Sequence, residues 1–353
     1  MRGTRRSLIA ALLATGCAWG QTGHPTQEVA LSPGEVDTAL RTLSEELKDR
    51  YVLDNQVAGT LARIEARRKA GAYSELRLAE HLAAALTEDL QALTKDKHLR
   101  VFWRSNPIPT TAEDLPPDVR GLGREQLARE NFGFKTVEIL DGNIGYLDLR
   151  RFVNPAWAGD TAVSTMNFLA NADALIVDLR HNGGGSPLMI ALLSSYFFDE
   201  PVHLNDLYDR RRGTTRQSWT LPHVPGKKFL NKDIFVLTTA STFSAAEEFS
   251  YNLKNLKRAV LIGETTRGGA HPVVSRRLSD HLFATVPYAR AISPITKTNW
   301  EGTGVTPDFP MPAPESLVAA HRLALRRLAE TTSDPDLVQK LKSIAETLKD
   351  KER

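Results

Sequence analysis

The amino-acid sequence predicts an α/β protein in which an N-terminal helical bundle precedes an α/β domain. Residues 33–97 place apolar side chains at helical spacing in three stretches, which is typical of a small bundle. Ala174–Leu179 and Ile234–Thr238 are short apolar runs, and each is followed by a turn of small residues and a helical pattern. Because strand, turn and helix recur in this order, a mostly parallel sheet is expected.

The other elements follow from local signals. Asp141-Gly142 marks a hairpin turn between two strand patterns. In chain order, strands are predicted at 99–103, 134–140, 143–149, 259–264 and 282–287, and helices at 161–169, 187–197, 245–253 and 314–353. Residues 105–119 are a proline-rich connector, and loops are expected at 205–219, 265–272 and 289–299. We expect the charged C-terminal helices to be peripheral.

Composition excludes several classes of protein. With 353 residues and 41% hydrophobic content, the chain can bury a large core. The formal charge of +3 includes Arg2, Arg5 and Arg6, which lie in a candidate leader, and removing them gives 3 − 3 = 0. A near-neutral mature chain excludes a nucleic-acid-binding surface and a polybasic membrane surface.

Residues 1–20 have the pattern of a secretory signal peptide. An arginine-rich start, the apolar run Leu8–Ala14 and small residues before Gln21 fit export and cleavage, and the run is too short to span a bilayer. Cleavage would remove Cys17, the only cysteine, and leave no disulfide. The alternative is a lipoprotein signal with Cys17 lipidated, although Ala14 stands where leucine is usual. Either reading predicts export, and a bacterial periplasm is the expected destination.

Ser244 stands where the strand at 234–238 gives way to a helix. A serine at such a junction can expose its hydroxyl above the sheet edge, and the first free N–H groups of the helix can stabilise an oxyanion there. The alternative is a helix N-cap, with Glu247 three residues later completing a capping box.

The glycines at 183–185 follow a predicted strand. They lack the Lys-Ser/Thr ending of a P-loop and the spacing of a dinucleotide fingerprint. Gly183 and Gly184 can bring backbone N–H groups close to a developing oxyanion, and pure turn geometry is the alternative.

His98 and Glu301 could complete a hydrolytic site. Acyl transfer needs a nucleophile, a base, a group that orients the base, and oxyanion donors. His98 lies between a helix and a strand, where it could cap the helix or project into a cleft between domains. Glu301 precedes a glycine turn, where it could be a surface carboxylate or the orienting acid. Metal-ligand spacing is absent from the sequence, so neither a metal nor a cofactor is expected.

Four motifs in one order carry a resemblance to a known family. They are Asp178-Leu-Arg-His-Asn-Gly-Gly-Gly, Ser244-Ala-Ala-Glu-Glu-Phe, Gly263-Glu-Thr-Thr-Arg-Gly-Gly-Ala-His-Pro and Asn299-Trp-Glu-Gly-Thr-Gly-Val-Thr-Pro-Asp. Together they resemble the tail-specific (C-terminal processing) serine peptidase superfamily. The branch that looks most similar contains interphotoreceptor retinoid-binding protein modules and the tricorn protease core. The resemblance covers most of residues 30–330.

This resemblance implies a domain plan. After the signal peptide at 1–20, it implies a helical domain at 25–100, a linker at 101–130, a catalytic α/β domain at 131–315 and a helical tail at 316–353. The α/β domain would have a ββα-spiral core of the ClpP/crotonase type. A PDZ domain is not recognisable in the sequence.

The resemblance also implies roles for individual residues. Ser244 matches the nucleophile, His98 the base of tricorn-like members, and Glu301 the acid that orients it. Gly184 and Ala245 match the oxyanion donors, with Gly183, Glu247 and Lys97 as secondary candidates. Lys97 stands where tricorn-like members have a small serine that contacts the acid.

The base of the C-terminal processing branch is missing here. That branch uses a lysine in a Gly-Lys-Gly loop, and this chain reads Gly268-Gly269-Ala270 instead. The match therefore excludes a Ser–Lys dyad.

The expected function is an exported serine peptidase that hydrolyses peptide bonds through a Ser-His-Glu arrangement. The alternative is a non-enzymatic carrier of hydrophobic ligands of the retinoid or fatty-acid type. The aromatic residues that could line a carrier cleft, or simply belong to the core, are Phe102, Trp103, Phe197, Phe198 and Trp300. The expected partner is a peptide or protein substrate; neither nucleic acid nor a transmembrane segment is expected.

Overall fold

A computed structural model describes residues 28–110 and 123–350 of the chain. The predicted signal peptide, Cys17 and residues 111–122 of the predicted linker lie outside the described residues. Within the described ranges, every helix is too short or too polar to cross a bilayer.

The predicted helices and strands occur in their predicted order, and the structure has further elements between them. The helices are α1 (Pro33–Arg50), α2 (Asp54–Lys69), α3 (Ala79–Thr94), α4 (Arg124–Arg129), α5 (Pro155–Leu169), α6 (Pro187–Ser195), α7 (Ala245–Asn255), α8 (Ser316–Thr331) and α9 (Pro335–Asp350). The strands are β1 (Arg100–Trp103), β2 (Phe134–Leu140), β3 (Ile144–Leu149), β4 (Ala174–Asp178), β5 (His203–Asp209), β6 (Thr214–Trp219), β7 (Asp233–Thr238), β8 (Val260–Gly263), β9 (Val273–Arg277), β10 (Leu282–Pro287), β11 (Ala289–Ile292) and β12 (Phe309–Pro310).

The strands of the described residues form three sheets. The central sheet has the order β12-β8-β7-β4-β3-β2, and its neighbours are parallel except for the β2–β3 hairpin. Two antiparallel sheets, β1-β10-β9 and β11-β5-β6, lie outside it. This mixed α/β architecture with a helical N-terminal region confirms the predicted fold class.

The N-terminal helices form as the sequence predicts. Ser32 and Glu35 make a capping box around Pro33 at the start of α1, and α3 ends at Lys95 in the left-handed conformation. Their apolar stripes share one core with residues of β10, including Leu282 and Ala284. The helical region is therefore packed directly on β10.

The central sheet is buried on both faces because its strands are apolar throughout. Leu175 and Val177 of β4 point into a core shared with α5, α6 and α7, while Ile176 points the other way. That second core is completed by α8 and α9, and Ala320 of α8 is fully buried. The expectation that the C-terminal helices are peripheral is therefore wrong, because their apolar stripe covers one face of the sheet.

Two predicted loops contain strands. Residues 205–219 hold most of the β5–β6 hairpin, and residues 289–299 begin with β11, which pairs with β5. β6 is largely exposed and polar, so it lacks the apolar alternation that predicts a strand. In contrast, the Asp141-Gly142 turn between β2 and β3 lies where it was predicted.

The pairing of β1 with β10 sets the position of the site. Arg100 lies opposite Thr285, and Thr285 Oγ1 donates a hydrogen bond to the carbonyl of His98 at 2.5 Å. Residues 100–103, expected at the boundary of helical domain and linker, thus form an edge strand of the β1-β10-β9 sheet. This pairing brings His98, just before β1, alongside β10.

Candidate active site

Ser244 occupies a strained junction between β7 and α7. Its backbone has φ +58° and ψ −120°, a conformation that residues other than glycine rarely adopt. Ordinary N-cap serines of this chain are extended, with φ −74° at Ser32 and φ −87° at Ser186. A simple N-cap role does not require this strain, which costs on the order of 1–3 kcal/mol. The geometry is that of a nucleophile elbow.

Glu247 holds the backbone of the Ser244 elbow through hydrogen bonds. The buried carboxylate accepts hydrogen bonds from the Ser244 amide at 2.8 Å, the Gly268 amide at 2.6 Å, the Gly269 amide at 2.9 Å and Thr266 Oγ1 at 2.5 Å. Burial raises the pKa of Glu247, and these donors oppose that increase. Glu247 therefore does more than cap a helix, because it joins α7 to the 266–269 loop.

The glycine loop after β4 packs against Ser244. A Cβ on Gly184, whose φ is +104°, would stand 2.8 Å from Ser244 Cβ and 2.9 Å from the Ala245 nitrogen. Asn182 holds this loop: its carbonyl accepts from the Phe243 amide at 3.1 Å, and its Oδ1 accepts from the Gly184 amide at 2.8 Å. The loop thus lies where oxyanion donors are needed, with the Gly184 amide directed at Asn182.

The Ala245 amide is the other predicted oxyanion donor. It is the first amide of α7, and no described residue accepts a hydrogen bond from it. Such an amide at a helix N-terminus is available to an incoming oxygen.

His98 is buried beside the residue that precedes the serine. Its ring centroid lies 4.4 Å from that of Phe243, and only 5% of His98 is exposed. Its backbone amide donates to Asp96 Oδ1 at 2.9 Å. The alternative role as a helix cap is wrong, because Lys95 ends α3 three residues earlier.

Gly269 leaves room for these two rings. A Cβ built there would stand 2.2 Å from Phe243 Cε2 and 2.9 Å from His98 Cε1. This is the position at which the C-terminal processing branch would carry its lysine. A side chain and the observed rings cannot occupy the same space, so the structure gives a steric reason for glycine here.

Glu301 is half-buried rather than a fully exposed surface carboxylate. Its Oε2 accepts a hydrogen bond from the Ala270 amide at 2.6 Å and lies 3.5 Å from His271 Nδ1. The same His271 nitrogen lies 3.1 Å from Asp96 Oδ2, which also accepts from the Tyr51 hydroxyl at 3.2 Å. An imidazole thus lies between two carboxylates close to His98.

The charges of Asp96, His271 and Glu301 shift one another's pKa values. Burial raises the pKa of Glu301 to about 7, and the Asp96 carboxylate acts in the same direction. Burial opposes ionisation of Asp96, but the hydrogen bond and charge of His271 outweigh it and hold the pKa of Asp96 low. Burial also opposes protonation of His271, but the two carboxylates raise its pKa.

The same three side chains could in principle hold a metal ion. Their donor atoms lie within 4.8 Å of one another. However, His271 Nδ1 faces both carboxylates, and a protonated imidazole in that position explains their approach through hydrogen bonding and charge attraction. We therefore assign no metal ion here.

Lys97 contacts the backbone of the loop at residues 266–269. Its Nζ donates a hydrogen bond to the carbonyl of Arg267. This contact fastens the segment that carries His98 to the 266–269 loop. Lys97 therefore binds a loop backbone at the position where the family resemblance implies a small serine that contacts the acid.

Sequence reasoning missed three residues of this site. Asn182 and His271 stand inside the quoted motifs and Asp96 stands two residues before His98, but they were not candidates. A usable signal was present for Asp96 and His271, since a carboxylate two residues before a candidate base and a histidine in a glycine-rich loop are both plausible partners. Asn182 had no such signal beyond its place before the glycines.

The aromatic residues proposed for a carrier cleft are dispersed. Phe197, Phe198 and Trp300 belong to the core around α7, Trp103 packs against the helical bundle, and Phe102 stacks on Phe283 at 5.2 Å. Because they lie in separate clusters, they do not line one common cavity.

Comparisons with known proteins match both parts of the chain. The family model for peptidase family S41 matches residues 143–311. The model described as the N-terminal domain of Peptidase_S41 in eukaryotic IRBP matches residues 26–132. The two matches are consecutive and together span the helical region and the central sheet.

Individual relatives agree with these matches. Carboxyl-terminal-processing peptidase 2, chloroplastic, from Arabidopsis thaliana is 31% identical over 178 residues, or 48% of this chain, and the match spans 32% of that protein. The solved structure of mature CPAF has a TM-score of 0.56 at 13% identity over 80% of this chain and 94% of its own. The crystal structure of the tricorn protease has a TM-score of 0.50 at 15% identity over 89% of this chain and 37% of its own. The structural likenesses concern the fold, and the two family matches identify the chain as a member of peptidase family S41.

Proposed function

We propose that this chain is an exported serine-type peptidase. The strained backbone of Ser244, packed against the glycine loop, is the observation that carries the proposal. Membership of family S41 supports a peptide or protein as the substrate. The signal-peptide pattern at residues 1–20 supports export, and the bacterial periplasm is the proposed destination.

The proposed mechanism assigns one step to each group. The Ser244 hydroxyl attacks the scissile carbonyl carbon while His98 takes its proton, and the carbonyl oxygen becomes an oxyanion. The Ala245 amide stabilises this oxyanion, and the Gly184 amide joins it by sharing or exchanging its hydrogen bond to Asn182. His98 then passes the proton to the leaving amine, and water releases the acyl group from Ser244.

Two acids, Glu301 and Asp96, support the histidine electrostatically. Glu301 is the proposed orienting acid, as the resemblance implies. Asp96 holds the backbone amide of His98 at 2.9 Å, and its negative charge favours the protonated imidazole that forms during reaction. His271 links these two carboxylates.

Fluorophosphonate labelling tests the proposal without knowledge of the substrate. We expect the probe to label Ser244, as located by peptide mapping, and Ser244→Ala to abolish labelling and peptide hydrolysis without unfolding. His98→Ala should slow labelling by roughly 100-fold or more. Ser241→Ala is the matched control, because Ser241 is exposed and lies in the same turn. Full activity of folded Ser244→Ala would refute the assignment.

The second candidate function is a carrier of hydrophobic ligands. The observation that favours it is the match of residues 26–132 to an N-terminal domain named for eukaryotic IRBP. A carrier would not label with the probe and would release bound lipid on solvent extraction. Labelling at Ser244 without extracted lipid would decide for the peptidase.

A further inference from the structure

His271 is a buried histidine to which the proposed mechanism gives no step of its own. It lies in the loop between β8 and β9, and only 3% of it is exposed. Its Nδ1 lies 3.1 Å from Asp96 Oδ2 and 3.5 Å from Glu301 Oε2. Asp96 comes just before β1, and Glu301 comes between β11 and β12. Three separate segments of the chain therefore meet at this one nitrogen.

Other donors fix the two acids on either side of His271. Asp96 Oδ1 accepts from the His98 amide at 2.9 Å, and Asp96 Oδ2 also accepts from the Tyr51 hydroxyl at 3.2 Å. Glu301 Oε2 accepts from the amide of the residue before His271 at 2.6 Å. Two carboxylates that share one site repel each other, and one takes up a proton unless a cation compensates them. His271 is the group that lies between them.

The surroundings of His271 favour its protonated form. Burial opposes protonation, but the hydrogen bond and charge of Asp96 and the charge of Glu301 raise the pKa of His271 above its ordinary value. Arg290 of β11 acts in the opposite direction without outweighing them. The other titratable groups that contact or act on the two acids are Tyr51, His98 and Glu247. A protonated imidazole can donate its Nδ1–H toward both carboxylates.

We propose that His271 is a positioning residue of the hydrolytic site and holds the Asp96 and Glu301 carboxylates in place beside the proposed base. The inference rests on the proposed peptidase function and adds a residue to its machinery. Asp96 then keeps its hydrogen bond to the backbone of His98. Glu301 is held through Oε2: its buried Oε1 accepts no hydrogen bond from the described residues, so it can receive a donor during the reaction. His271 acts through these acids and exchanges no proton with the substrate.

Two substitutions separate the hydrogen bond of His271 from its charge. An asparagine amide can place an N–H donor near the position of Nδ1 without a charge, whereas alanine supplies neither. We expect His271→Ala to slow fluorophosphonate labelling of Ser244 by about 100-fold, the cost of a misplacement of about 1 Å at a catalytic group. His271→Asn should recover about tenfold of this loss, the contribution of one hydrogen bond to a charged group. Urea unfolding of each preparation verifies that the variants are folded.

A pH profile of the labelling rate detects the charge of His271. That charge lowers the pKa of Glu301, so its removal should move the acid limb to higher pH in both variants. A purely structural loss would lower the rate at every pH and leave the midpoint of the limb unchanged. His321→Asn is the matched control, because His321 is also buried and bonded, to the Asp141 carbonyl at 2.7 Å, but lies on α8. It should change neither the rate nor the midpoint.

The outcomes separate this inference from the peptidase proposal. If the wild type labels and both His271 variants keep its rate or its midpoint, the peptidase stands and the positioning role is overturned. If the wild type does not label, nuclear magnetic resonance of ring-labelled histidine decides. The His271 signal, assigned with His271→Asn, should titrate above 6.5 in the wild type and at lower pH in Asp96→Asn. Titration at the ordinary value that Asp96→Asn does not alter would overturn the role of His271 whether or not Ser244 reacts.

Discussion

Gly269→Ala tests whether the packing of Phe243 and His98 controls the reactivity of Ser244. The added Cβ would stand 2.2 Å from Phe243 Cε2 and 2.9 Å from His98 Cε1. Carbon atoms in contact normally lie about 3.5–4.0 Å apart, so the Phe243 ring has to retreat by about 1.5 Å and the imidazole by about 0.8 Å. The clash involves side-chain rings and does not arise from a left-handed backbone at position 269.

The expected effect is large on reactivity and moderate on stability. A misplacement of about 1 Å at a catalytic group costs about 100-fold in rate, so fluorophosphonate labelling of Ser244 should slow by that factor. Overpacking of this kind typically costs about 1–3 kcal/mol of unfolding free energy. The assay is the second-order labelling rate, measured beside urea unfolding of the same preparation.

Gly59→Ala is the matched control. Gly59 lies inside α2, and a Cβ there meets no other atom within 4 Å. It should stabilise the protein by about 0.5–1 kcal/mol through helix propensity and leave labelling unchanged. If folded Gly269→Ala labels within threefold of the wild-type rate, the contact between His98 and Phe243 does not control the nucleophile, and the reasoning fails.

Three further predictions concern charge and backbone. Glu248 is buried with an Asn205 contact at 3.3 Å, and burial raises its pKa to about 7. The folded state therefore keeps a proton that the unfolded state loses above pH 4.5, and stability falls as the pH rises from 4.5 to about 7. Glu248→Gln should exceed the wild type in stability at pH 8 by up to about 3 kcal/mol in urea unfolding, with a smaller gain at pH 5; equal gains at both pH values would contradict this. Asp96→Asn removes a charge that raises the pKa of Glu301. In a plot of the labelling rate of Ser244 against pH, the acid limb should therefore move to lower pH. An unchanged midpoint of that limb would count against the effect of Asp96 on Glu301. Gly142→Ala, at φ +82° beside α8, should lower the unfolding free energy by about 2 kcal/mol without slowing labelling; unaltered stability would be the contrary result.

Local patterns were sufficient to locate much of the fold. The helical stretches of the N-terminal region, the apolar strands β4 and β7, and the Asp141-Gly142 turn all depend on neighbours within a few residues. The same holds for the strand–serine–helix junction at Ser244. The polar strand β6 escaped prediction because its pairing with β5, and not an apolar pattern of its own, makes it a strand. β11 does alternate buried and exposed residues, but it is only four residues long and gives a weak local signal.

The packing role of the C-terminal helices also depended on the whole molecule. The charged surface of α8 and α9 suggested a peripheral tail. Their apolar stripe, however, fills the second face of the central sheet around Ile176 and Phe235. Sequence indicates that a helix has an apolar face, but the unoccupied face of another element decides where it packs.

The sequence by itself determined the family motifs, the order of elements and the serine at a strand-to-helix turn, because these are written in contiguous residues. Tertiary structure decided which charged groups meet. Asp96 reaches His271 across 175 positions of sequence, and β1–β10 pairing brings the preceding segment to that loop. It also decided that Gly269 has no space for a side chain. The physical reason is that burial, hydrogen bonding and charge depend on distances in space, which spacing along the chain does not specify.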